Sequence, residues 1–191
     1  MMRFILAGIV ALMAAAMGFL AFDWYRAGSG EAYGAPFALV DQSGAEITEA
    51  AFRGHPSAVF FGFTHCPEIC PTTLFEMDGW LKALGNEGET IRAFFITVDP
   101  ERDTPQVLNA YVGNVSERIT SITGSPEDVA AMARSFGIFI RKVDLGNGDY
   151  TMDHTASVLL LDETGDFFGT IAYGEDSETA LAKLKRLVNG T

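Results

Sequence analysis

A continuous apolar run, Ala58-Val59-Phe60-Phe61-Gly62-Phe63, leads into both of the chain's cysteines, in Cys66-Pro67-Glu68-Ile69-Cys70-Pro71. An apolar run without alternation reads as a strand covered on both faces, hence a central strand of a sheet. After the cysteines, Leu74, Met77, Trp80, Leu81 and Leu84 recur at helical spacing. Pro71 is placed as the first helical residue and Gly85 ends the run. Two thiols therefore stand where a strand hands over to a helix. Helix N-termini leave N–H groups unpaired and carry partial positive charge, so a thiol there ionises more readily. Cys70 is expected nearest that field. Such a pair can close into a disulfide, exchange with another thiol, or hold a soft metal ion.

The remaining pattern alternates in the same way. Residues 37–40 and 46–48 flank a polar turn and predict a hairpin, and residues 91–98 form a second buried run. Thr104-Pro105 opens a helix through Val112, residues 119–122 make a short strand, and Ser125-Pro126-Glu127-Asp128 starts a helix to about Phe136. Two more hairpins follow, at 138–143 with 150–152 and at 157–161 with 167–172, before a closing amphipathic helix at 177–188. Strands alternating with helices predict an α/β layer architecture.

Residues 4–22 carry no charge and would span roughly 28 Å as a helix, close to the bilayer core. Arg3 precedes the run and Asp23 follows, so the positive-inside tendency puts everything after it on the far side. Ala14-Ala15-Ala16 offers the small residues of a cleaved signal, but the apolar run continues to Phe22, which favours an uncleaved anchor. The expected organisation is an anchor (1–26), a Gly- and Ala-rich linker (27–36) and one domain (37–191). Beyond residue 22 the chain holds 12 Lys and Arg against 25 Asp and Glu, the wrong sign for nucleic acid. A structural disulfide is the usual use of two cysteines in an exported domain. Here a loop of three intervening residues would stabilise little, in a domain large enough to bury its own core.

Structural zinc normally takes four such ligands, so a chain with only two cysteines and three histidines is not expected to build a closed zinc site. His154, just before the apolar strand at 157–161, is eligible as a third ligand beside Cys66 and Cys70, against the plainer reading of a hydrogen-bonded loop histidine. His65 adjoins Cys66 and points elsewhere if the backbone there is extended. His55 sits in a Gly-Pro turn facing solvent, and Met152 is either a weak thioether ligand or packing.

Phe61-Gly62-Phe63-Thr64-His65-Cys66-Pro67-Glu68-Ile69-Cys70-Pro71 resembles the F-G-[YF]-T-H-C-P-x-x-C-P signature of the Sco/SenC family. Residues 98–105, Val-Asp-Pro-Glu-Arg-Asp-Thr-Pro, and Asp153-His154-Thr155 before an apolar strand are similar to its other landmarks. Thr155 stands where Ser is frequent, and Glu68-Ile69 where Asp-Val is. The resemblance implies a thioredoxin-like fold with an N-terminal β-hairpin and mid-chain insertions behind one transmembrane helix. It implies a copper chaperone, holding one Cu(I) or Cu(II) through Cys66, Cys70 and His154 and delivering it to the CuA centre during cytochrome c oxidase assembly. Implied partners are the CuA-bearing subunit, other copper chaperones and thioredoxin-like reductants. The implied location is the cytoplasmic membrane, with the domain on the periplasmic or equivalent side. Asp99 and Asp153 are candidates for a hydrogen-bond acceptor behind the ligating histidine or for partner contact. Thiol–disulfide exchange or redox sensing by the redox pair Cys66 and Cys70 is the alternative. A peroxiredoxin-like peroxidase fits poorly, because it wants Thr three before the reactive cysteine and position 63 is Phe.

Overall fold

The computed structural model describes residues 13, 16–19 and 33–190. The chain divides into two units, Met1–Glu31 and Ala32–Thr191. Within the first, residues 13 and 16–19 are helical. The rest of the expected anchor, and most of the linker, lie outside the described residues. Among the described residues no helix is long and apolar enough to cross a membrane.

The second unit is built on seven strands: β1 (Ala38–Asp41), β2 (Glu46–Thr48), β3 (Ser57–Gly62), β4 (Arg92–Thr97), β5 (Ile119–Thr123), β8 (Val158–Leu161) and β9 (Phe167–Ile171). Their order across the sheet is β2-β1-β5-β4-β3-β8-β9. The unbroken apolar run does form the buried β3, parallel to β4, and β4 runs parallel to β5. β8 lies antiparallel on the other side of β3. Helix α1 (Ile69–Ala83) joins β3 to β4, together with a short α2 (Asn86–Thr90) that periodicity did not signal. Helix α3 (Pro105–Gly113) joins β4 to β5, α4 (Pro126–Ser135) follows β5, and α5 (Ser177–Asn189) closes the unit. β6 (Ile140–Gly146) and β7 (Asp149–His154) form a two-stranded ribbon apart from the large sheet.

Several boundaries follow from local chemistry. Ser125 and Thr104 cap α4 and α3 by accepting from Asp128 N and Val107 N, each with Pro at the next position. α1 starts at Ile69, two residues before the expected Pro71. Proline is tolerated anywhere in a first turn whose N–H groups have no intrahelical acceptor, so it did not mark the boundary. Cys70 is therefore inside the helix rather than ahead of it.

Alternation along β3 divides the core into two faces. Phe61 meets Phe136 on one side, where Phe52 also packs against Phe94 and Phe136. Phe60 stacks on Phe95 on the other side, and Phe95 reaches Tyr111 of α3. Gly62 shares the Phe60 face. A methyl group there would lie 2.7 Å from the Phe95 ring and 3.0 Å from Cys70 Sγ. The sulfur therefore occupies the space that a side chain at position 62 would take.

Gly62→Ala should lower stability by about 1–3 kcal/mol through overpacking. Denaturant unfolding of the reduced protein checks this, and an unchanged midpoint would show that the sulfur has room to move.

Candidate metal centre

The site lies at the carboxyl ends of the parallel strands, where open α/β sheets place their ligands. The chain leaves β3 at Gly62 and turns through Thr64, whose N–H donates to Asp103 Oδ2 at 3.0 Å and whose hydroxyl donates to Oδ1 at 2.5 Å. Thr97, at the end of β4, donates to the same carboxylate at 2.6 Å. Thr123, at the end of β5, donates to the Asp103 carbonyl at 2.9 Å. Asp103 is fully buried, and burial raises its pKa against the lowering by the hydrogen bonds from Thr64 and Thr97. It pins the segment that delivers Cys66 two residues later.

Both cysteines are free thiols, Cys70 buried and Cys66 partly exposed. The backbone N–H of Cys70, in the first turn of α1, donates to Cys66 Sγ at 3.3 Å. The helix terminus thus acts on the sulfur of Cys66 and not, as expected, on that of Cys70. A hydrogen bond from the Cys70 thiol pulls the Cys66 pKa down to about 4, against the opposing effect of burial, with further help from the Cys70 N–H. Cys70 moves the other way, because it serves as that donor and is itself buried. The proton of the pair therefore resides on Cys70.

His154 is the last residue of β7, so a strand rather than a loop presents it. Its Nδ1 lies 2.8 Å from the Thr155 carbonyl oxygen, which can only accept, so Nδ1 carries the proton. That leaves the lone pair on Nε2, 3.7 Å from Cys70 Sγ. Phe60 and Phe63 meet the imidazole in T-shaped contacts that fix its plane. Bond lengths of about 2.3 Å to sulfur and 2.0 Å to nitrogen at a trigonal metal would separate the two ligand atoms by roughly 3.7 Å. The separation found here thus fits a metal shared by Cys70 and His154. Among the described residues no three His, Cys, Asp or Glu side chains already stand as a complete metal cage. Cys66 Sγ, on the same stretch of backbone, is the additional donor within reach.

The other expected residues fall elsewhere. His65 is exposed beside Thr64, and His55 lies at the opposite end of β3, near the Pro56 carbonyl and Ser57. Met152 lines the cleft with Cys66. Neither Asp99 nor Asp153 accepts from His154. Asp99 is held by Arg102 and Tyr150, and Asp153 pairs with Arg141 at the surface. The acceptor behind the imidazole is a backbone carbonyl, which no side-chain pattern could announce. Asp103 and Gly62 were also missed as supports, although both lie inside recognised motifs. A cleft of about 410 Å³ opens onto Cys66, bounded by Phe63, Pro67, Ile69, Phe139 and His154.

A mixed α/β sheet bearing a dithiol at a strand-to-helix junction defines a thioredoxin-like protein, here with an imidazole at the thiols. The SCO1/SenC family model matches residues 26–189, and the chain belongs to that family. Among solved structures it is similar to ScoI of Bradyrhizobium japonicum with copper bound, at 41% identity and TM-score 0.75, covering 82% of this chain and 99% of that one. It is also similar to Arabidopsis thaliana ScoI with copper bound, at 31% identity and TM-score 0.78, covering 84% and 100%. A SCO2-like protein of Rickettsia prowazekii is 38% identical over 136 residues, 70% of this chain and 66% of that protein. The alignments span between 41% and 66% of the length of the first three curated relatives.

Because Cys66 has a depressed pKa in the folded state, the unfolded chain binds more protons between about pH 4 and the ordinary thiol value of about 8.5. Its contribution to stability should be complete above about 8.5 and lost as pH falls through about 4. The difference in unfolding midpoint between the reduced protein and Cys66→Ser, followed across that window, measures it. Iodoacetamide should label Cys66 before Cys70 throughout.

Proposed function

We propose that this chain binds one copper ion through Cys66, Cys70 and His154 and delivers it to the CuA centre during cytochrome c oxidase assembly. The observation that carries this reading is the approach of the lone-pair nitrogen of His154 to Cys70 Sγ at 3.7 Å, across 84 residues of chain. Relatives of the same family have been solved with copper bound, which supports copper as the ion. Thiolates suit Cu(I), and an imidazole extends the set to Cu(II). Copper is cargo here, so three donors are an advantage: an incoming acceptor thiolate can add before any donor leaves. Cys66 faces the cleft and is the first ligand that an acceptor can displace. Phe139, 56% exposed, and Ile69 at the cleft offer apolar contact for the docked CuA-bearing subunit. Residues 1–26 tether the domain to the cytoplasmic membrane, with the site on the periplasmic or equivalent side.

A second reading, thiol–disulfide exchange, is favoured by the inequality of the two thiols. The Cys66 thiolate would attack a disulfide of an oxidised partner, forming a mixed disulfide and releasing one partner thiolate. Cys70 would then lose its proton and attack Cys66 Sγ, freeing the second partner thiolate and closing Cys66–Cys70. That route makes no use of His154.

Anaerobic copper titration of the soluble domain tests both. Cys66→Ser should abolish stable binding, and His154→Ala should weaken Cu(II) binding by at least about 100-fold, beyond the effect of losing an outer hydrogen bond. An unchanged spectrum and affinity in His154→Ala would overturn the three-ligand site. Thiol exchange with a small disulfide should survive in His154→Ala.

A further inference from the structure

The imidazole and the thiols are carried by different parts of the protein. Cys66 and Cys70 belong to the β3–α1 junction, whereas His154 ends the ribbon β6–β7, whose strands, among the described residues, pair only with each other. The base of the ribbon is closed by Thr155 N donating to the Phe139 carbonyl at 3.1 Å, and by Phe139 N donating to Thr155 Oγ1 at 3.1 Å. Those bonds join the ribbon to itself, so its seat on the body is made by side chains: Ile140 and Met152 pack against the core, and Phe60 and Phe63 meet His154.

Towards its tip the ribbon meets the segment after β4. Asp99, 2% exposed, accepts from the Tyr150 hydroxyl at 2.8 Å and from Arg102 Nε. Arg102 Nη1 donates to the Tyr150 carbonyl at 3.0 Å, and the guanidinium carbon lies 3.7 Å from the centre of the Tyr150 ring. The third guanidinium nitrogen is buried without a hydrogen-bond partner, so the ring is its neighbour in place of water. Lys142 Nζ lies 3.8 Å from the same ring and pairs with Glu101 at 2.6 Å. Tyr150 is thus gripped through its hydroxyl, its ring and its carbonyl.

Side chains two apart on a strand share a face, so Tyr150, Met152 and His154 all point from β7 towards the body of the protein. Tyr150 and His154 are four residues apart, about 13 Å along a stiff paired strand. A rotation of the ribbon at one end must displace the other. We propose that Arg102 and Tyr150, acting through Asp99, are positioning residues that clamp the ribbon and thereby hold the His154 imidazole over the thiols. The thiols are held through Thr64, Asp103 and α1 and make no bond to Tyr150, so releasing Tyr150 from a turn that stays tied by its own backbone bonds withdraws one donor of three. Cu(II) relies on the imidazole more than Cu(I), which two sulfurs satisfy. The clamp therefore sets how strongly the site prefers Cu(II) relative to its Cu(I) affinity. This metal-dependent consequence rests on the ligand set proposed above; the positioning itself does not.

The test uses Tyr150→Ala, with Tyr150→Phe as a milder variant that keeps the ring and loses the hydroxyl. In the metal-free protein, long-range proton–nitrogen spectra of the imidazole should show His154 shifted or broadened in Tyr150→Ala, and partly so in Tyr150→Phe. The alkylation rate of Cys66 should stay within about twofold of wild type, a separation that general destabilisation would not produce. With metal, Cu(II) affinity should fall by about 10-fold or more and Cu(I) affinity by under about threefold. His154 signals unchanged in both variants would overturn the clamp, and so would equal losses for the two oxidation states. If His154→Ala binds copper as wild type does while Tyr150→Ala still moves the imidazole signals, the ligand set fails and the clamp stands.

Discussion

A carboxylate without a cation, Asp103, organises the working edge of this protein. Burying a charged or even a neutral carboxyl group is costly unless its oxygens are satisfied. Here Thr64 and Thr97 satisfy them, and the Asp103 carbonyl takes the hydroxyl of Thr123. One residue thereby joins the ends of three adjacent parallel strands. The path of residues 63–66 follows from that junction, and with it the position of Cys66. Gly62 completes the arrangement by leaving the volume that Cys70 Sγ fills.

On this frame two kinds of support coexist. The thiols stand where sheet and helix lock together, with Phe95 and Phe60 packed beneath them. The imidazole stands on a ribbon whose strands, among the described residues, pair only with each other and which is tied to the body through Tyr150 and Lys142. The nitrogen and the two sulfurs therefore rest on differently built supports. The difference between the thiols has the same origin. Cys66 lies in the direction of the first free N–H groups of α1, while Cys70 is sealed behind it in the apolar core.

Much of the frame was readable from residues alone, because its signals are local. The unbroken apolar stretch became β3, Ser125-Pro126 and Thr104-Pro105 became capped helix starts, and Gly-containing polar turns separated the strands of three hairpins. The start of α1 lies two residues ahead of Pro71, since proline is compatible with several positions in a first turn. Assigning helix polarity to Cys70 was a related error: the group that feels the field depends on where the sulfur points, which Cys66 settles by folding back towards the Cys70 N–H. Asp103, Arg102 and Tyr150 give no sign of their distant partners, because the bonds Thr64–Asp103, Arg102–Tyr150 and Tyr150–Asp99 join segments 39, 48 and 51 positions apart. His154 was nominated from its place before a strand and from family resemblance. Its tautomer came only with the Thr155 carbonyl in view.

The separation of 84 positions between Cys70 and His154 has a consequence for the nascent chain. Two sulfurs four positions apart can meet early, within a single turn of backbone. Nitrogen joins them only after β4, β5 and the intervening helices α2, α3 and α4 have assembled and the ribbon has seated. A chain cut short before residue 154 would present a bare dithiol, open to oxidation. The meeting of nitrogen and sulfur thus reports that the segments from β3 to the ribbon have all taken their places.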